Sequence, residues 1–235
     1  MRSIDTNRRR FLAGGVAAAA AAAVSFTRLE AAQAQVGPPD WLKEVRGQHR
    51  CFFDFNAHKN GLPLLHMLNY FNAYTGPHGA QPNQVGAVGS FYGIGPAASI
   101  PLGFDDSIWA KYGVGDLLNL KDANGRAYTR NVFNSPTEAD GHLLSQGMGV
   151  PPLAPFGGAV VACSIASLQK MGTKFLMCNN ALGAWTLELA ARGKGDAAAI
   201  GTELRAHLLP GVTVVPAMVV AITQAQAAGI SYNRQ

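Results

Sequence analysis

Residues 174–182, K-F-L-M-C-N-N-A-L, constrain the fold of this chain more than any other stretch. Phe175, Leu176 and Met177 form a short apolar run after a helix-like segment and a break at Gly172, which is how a buried strand of a parallel sheet reads. Cys178 ends the run, and Asn179 and Asn180 then offer N-cap side chains to a helix over residues 184–191. The spacing predicts Cys178 at the carboxyl end of a strand, facing the first turn of a helix. Open α/β sheets bind ligands at that edge. A helix N-terminus also favours a thiolate over a thiol. The competing reading is a cysteine that serves only as a small buried hydrophobe.

The segment before this domain reads as an export signal. Asn7-Arg8-Arg9-Arg10-Phe11-Leu12 fits the twin-arginine pattern, a weak alanine-rich apolar run follows, and Ala32-Gln33-Ala34 supplies a small-residue cleavage site. The expected organisation is a signal peptide over residues 1–34 and one α/β domain over residues 35–235, located in the periplasm after cleavage. Cleavage removes five basic and two acidic residues, so the formal net charge falls from +5 to +2. The basic balance therefore points to no nucleic-acid partner, and no later stretch is long enough to span a membrane.

Strand and helix patterns alternate along the remainder. Residues 50–56 and 84–92 read as the first two strands. Leu64, Leu68 and Phe71 lie at helical spacing between them, in a helix that Pro63 opens. Residues 160–171 read as one helix that leaves Cys163 off its apolar face. The strand of Cys178 and its helix follow, then a helix over 197–209, a strand at Val212–Val215, and a last helix burying Met218, Val219 and Ile222. A short strand at 230–232 closes the chain. Such alternation predicts a mainly parallel sheet with helices on both faces, a three-layer α/β/α sandwich.

Residues 97–158 interrupt this rhythm. About sixty residues separate the second strand from the next clear helix, with short helices expected at Asp106–Tyr112 and around 116–120. Connections of that length are usually functional. Leaving the second strand at its carboxyl end, the insert is expected to fold over the edge that carries Cys178, as a lid or as a subunit interface. Asp105, Asp106, Trp109, Tyr112 and Arg130 are its candidate pocket residues. Asp54, at the end of the first strand, joins them either as an active-site acid or as a loop cap.

Several chemistries lack their signatures. The six histidines show no metal-ligand spacing, and there is no G-x-S-x-G elbow. Gly93-Ile94-Gly95-Pro96 is an incomplete nucleotide fingerprint, so no cofactor is required. The three cysteines, Cys51, Cys163 and Cys178, form no C-x-x-C pair, and their odd number leaves at least one thiol free or intermolecular.

Taken together, F-L-M-C-N-N-A-L at 175–182, L-P-G-V-T-V-V-P at 209–216 and Q-A-A-G-I-S-Y at 226–232 resemble the DsrE/DsrF-like (DsrEFH-like) family. The W-A-K-Y and R-N-V-F motifs at 109–112 and 130–133 look like those of an exported subgroup. The resemblance implies a five-stranded sandwich, a homo-oligomer, and a cysteine that carries persulfide sulfur between donor and acceptor proteins. Cys178 matches the family's cysteine box, with Asn179 and Asn180 beside it to support a thiolate. The alternative is a non-catalytic ligand-binding or oligomeric accessory module.

Overall fold

The computed structural model describes residues 39–235. The expected signal segment lies outside the described residues. A short helix α1 (Asp40–Glu44) leads into β1 (His49–Asp54), α2 (Leu62–Thr75) and β2 (Val85–Phe91). The insert then contains α3 (Asp106–Tyr112), α4 (Val114–Leu117) and α5 (His142–Met148). After it come α6 (Pro155–Ala162), α7 (Ile165–Lys170), β3 (Thr173–Cys178), α8 (Asn179–Ala191), α9 (Ala197–Ala206), β4 (Val212–Val215), α10 (Met218–Ala227) and β5 (Ser231–Arg234). Among the described residues the five strands are all parallel, in the order β4-β3-β2-β1-β5. Helices cover both faces, so the fold is the three-layer α/β/α sandwich that the alternation predicts.

Alternation along each strand divides the core in two. Cys51, Phe53, Ala87, Phe91, Phe175 and Met177 point to one face, where α2 and α6 to α9 bury them together with the apolar residues of the insert. Phe52, Val88, Leu176, Cys178 and Val215 point to the other, under Trp41 and Leu42 of α1 and Met218, Ala221 and Ala225 of α10. Right-handed crossovers explain the division. The chain steps from β1 to β4 in one direction, so those connections share a face. The return from β4 to β5 runs the opposite way and puts α10 on the other side.

Small residues in β2 permit the close layer. A Cβ on Gly89 would stand 2.5 Å from the Phe175 ring, which itself stacks on Phe91 at 4.9 Å between centroids. That distance lies well inside van der Waals contact, so a larger residue at 89 would force the stacked pair apart.

Three local expectations need correction. Residues 160–171 are two helices rather than one, because the Ser164 hydroxyl accepts from the Ser167 N–H at 3.2 Å and starts α7 afresh. Cys163 occupies the break and is buried rather than partly exposed, since the chain turns inward there. On α10 Val219 is 69 % exposed, so the buried stripe runs through Met218, Ala221 and Ala225 instead.

The insert is part of the core. Ile100, Leu102, Phe104, Ile108, Trp109, Tyr112, Val132 and Phe133 join the cluster on the α2 face, and none lies in the cluster that holds Cys178. Asn131 organises it from a fully buried position. Its Nδ2 donates to the Leu102 and Phe104 carbonyls at 2.8 and 2.7 Å, and its Oδ1 accepts from the Phe133 and Asn134 N–H groups. Its own N–H donates to Asp106 Oδ1 at 2.8 Å. The R-N-V-F motif is therefore a structural knot.

Candidate functional site

Cys178 is the last residue of β3 and the N-cap of α8, with φ −75° and ψ 120°. The strand passes into the helix with no intervening loop, so the helix begins at Asn179 and takes in the residues expected to cap it. The Asn179 side chain accepts from the Arg205 guanidinium of α9, and Asn180 is exposed. Neither asparagine caps α8 through its side chain. The Cys178 thiol is 6 % exposed and lies on the α10 face. Its surroundings are apolar, with Val215 opposite it on β4 and Met218 in the same cluster.

The other thiols lie on the far side of the sheet. Cys51 and Cys163 belong to the α2-face cluster, so the sheet separates both from Cys178 and prevents a disulfide in the native fold. Burial pushes the Cys51 thiol up to about 11 and the Cys163 thiol up to about 12. Both stay protonated through the physiological range. Because the ordinary value is 9.0, their stabilising contribution fades as pH rises above it.

A second polar group sits on the same face as Cys178, two and three strands away. Asp54 is 7 % exposed, and its carboxylate accepts from Tyr92 Oη at 2.8 Å, Tyr232 Oη at 2.6 Å and Ser90 Oγ at 3.3 Å. Register explains the gathering, since Asp54 pairs with Arg234 on β5 and Tyr232 pairs with Phe52. Burial and the hydrogen bond to Asp54 push the Tyr92 hydroxyl well above its ordinary range. The same hydrogen bond, followed by burial, raises Tyr232. Both tyrosines therefore act as hydrogen-bond donors at neutral pH. Reading strands singly misses this group, because its members come from β1, β2 with the residue that follows it, and β5. The sequence signal was Tyr92 and Tyr232 at period-two spacing from apolar strand residues.

The six candidate pocket residues do not converge. Asp105 caps α3 through Ser107 and Ile108 and meets His207 Nδ1 at 2.9 Å. Asp106 anchors Asn131. Trp109 is fully buried, with Nε1 donating to the Pro101 carbonyl at 2.9 Å. Tyr112 donates to Glu203, which also pairs with Lys111 at 2.6 Å. Arg130 binds Asp140 at 2.6 Å. Each therefore ties the insert to itself or to α9, while Asp54 stands apart in the tyrosine cluster. The reason is that the insert packs on the α2 face, so it does not cover the Cys178 thiol.

Asp105, Ser107 and His207 superficially suggest a hydrolytic triad. The Ser107 hydroxyl and the Asp105 carboxylate both meet the same imidazole nitrogen, Nδ1, and Ser107 also bonds to Asp105 directly. A triad needs the serine and the acid on opposite ring nitrogens. This group is a helix cap. No cluster of histidine, cysteine and carboxylate side chains suited to a metal occurs among the described residues. Searches against family models, curated proteins and solved structures each found no match to this chain.

Proposed function

We propose that the chain is an exported thiol protein that carries sulfane sulfur on Cys178. One observation carries the reading: of the three free cysteines, Cys178 alone ends a strand at the carboxyl edge of the sheet and caps a helix of 13 residues. A persulfide donor, R–S–SH, would meet the Cys178 thiolate. The new bond forms from Sγ to the outer sulfur, the donor S–S bond breaks, and the donor leaves as a thiolate. A thiol on an acceptor protein reverses the exchange, so no external oxidant or reductant enters. Cys178 holds the N-cap position, next to the first backbone N–H groups of α8. The twin-arginine pattern supports a periplasmic location, and the resemblance to DsrE/DsrF-like proteins supports the sulfur chemistry. Incubation of the folded protein with a persulfide donor should add one sulfur, read by intact mass. Cys178→Ser should lose the adduct, while Cys51→Ser and Cys163→Ser keep it. An adduct that survives in Cys178→Ser overturns the proposal.

A second reading, a homo-oligomeric accessory module, is favoured by the outer surface of α10 and β5. Val219 and Val220 are 69 % and 49 % exposed, all of β5 is exposed, and among the described residues one of its edges is unpaired. Uncovered strand edges and apolar surface invite pairing with a second copy. Sedimentation should then show an oligomer that Val219→Lys with Val220→Lys dissociates. A monomer at all concentrations rejects it.

A further inference from the structure

The face on which a connection packs changes at β4. The helices between β3 and β4 bury Leu182, Trp185, Ile200 and Leu204 on the α2 face, whereas α10, after β4, packs Met218, Ala221 and Ala225 on the other. Doubly wound sheets receive ligands in the crevice outside the carboxyl ends of the strands at such a change. Cys178 and Val215, which pair in register, end the two strands that bound it. A sulfur donor therefore has a direction of approach, yet Cys178 is only 6 % exposed. A neighbouring side chain must move before a donor can reach the thiol.

Tyr92 is placed to be that side chain. The last register pair between β2 and β3 is Phe91 with Met177, so the next step sets Tyr92 beside Cys178, about one strand spacing of ~4.8 Å away. Alternation turns both side chains to the α10 face, and Tyr92 packs, half-buried, against the cluster that holds Cys178. The other walls, Val215 and Met218, are fully packed into that cluster. The backbone of Tyr92 is fixed by buried Ser99: its N–H donates to Ser99 Oγ at 3.0 Å, and its carbonyl accepts from the Ser99 N–H at 3.1 Å. Only the side-chain torsions are left to move. The far end of the ring is held too, since Tyr92 Oη donates to Asp54 Oδ1 at 2.8 Å. Swinging the ring outward breaks a hydrogen bond to a buried carboxylate, one of the stronger kinds of single contact.

We propose that the Tyr92 ring is a gate over Cys178, latched by Asp54. The purpose of the gate rests on the reading of Cys178 as the sulfur-carrying thiol, but the gate itself is measured by access to that thiol. Iodoacetamide is the probe, applied to the folded full chain, with alkylation of Cys178 followed by peptide mass. Tyr92→Phe keeps the ring and removes the latch, and should speed alkylation about tenfold, the loss of one hydrogen bond to a charged group. Tyr92→Ala removes the ring and should speed it further. Tyr232→Phe takes a hydrogen bond from the same carboxylate, three strands away from Cys178, and should leave the rate unchanged. Thermal unfolding of each variant establishes that the folded chain is the species alkylated. Faster alkylation in both Tyr92 variants without any sulfur adduct in the persulfide assay would keep the gate and reject sulfur carriage. An unchanged rate in both Tyr92 variants, or an equal acceleration in Tyr232→Phe, would overturn the gate.

Discussion

Trp109→Ala is expected to destabilise the whole domain by about 3–5 kcal/mol, the usual cost of deleting a buried tryptophan. The indole is fully buried, meets Phe133 edge-on at 6.3 Å between centroids, and donates to the Pro101 carbonyl. Alanine would leave a void beside Phe133 and an unmatched carbonyl in the turn that precedes α3. Because the insert shares one apolar cluster with Phe91, Phe175 and Met177, the loss should reach the sheet. Thermal unfolding should remain a single transition, lowered by roughly 10 °C for a domain of this size. A separate early transition of the insert, or a loss below about 1 kcal/mol, would show that the insert is a detachable cover.

Asp140→Asn is expected to cost about 3 kcal/mol, because it leaves a charge network with its centre removed. The Asp140 carboxylate is 5 % exposed and accepts from Tyr128 Oη at 2.6 Å, Arg130 Nη2 at 2.6 Å, and the Thr137 N–H and hydroxyl at 2.7 and 2.9 Å. An amide turns one acceptor into a donor that faces other donors. Burial alone would raise the Asp140 pKa, yet the bonds from Tyr128, Thr137 and Arg130 outweigh it and hold the carboxyl below its ordinary 3.8. A depressed carboxyl contributes stability that is present above 3.8 and is lost as pH falls through the folded-state value. Urea titrations between pH 7 and pH 3 should therefore show a shallower acid decline for Asp140→Asn than for the natural chain. Parallel declines would remove Asp140 from the acid response.

Both variants test the same feature, the conversion of a long connection into core. The aromatic residues of the insert, Phe104, Trp109, Tyr112, Tyr128 and Phe133, announce an ordered segment. Its length and its exit from β2 suggested a cover for Cys178. Nothing local in the chain states which face of the sheet such a segment joins. The W-A-K-Y and R-N-V-F motifs likewise stand out as patterns, but their work becomes visible only when Asn131 is seen bridging Leu102, Phe104 and Phe133.

Local chemistry was enough for the layer architecture. Short apolar runs ending at glycine or proline, separated by helical periodicity, specify strands and helices through contacts within a few residues. The position of Cys178 at the end of β3 follows from the same signals, and the sharp passage from Met177 through Cys178 to Asn179 needs no distant partner. Three things required the folded chain: the insertion of β5 beside β1, the facing of the thiol toward α10, and the meeting of Tyr92, Tyr232 and Asp54. Each depends on which strands pair and in what register, and a shift of one residue exchanges the two faces of a strand.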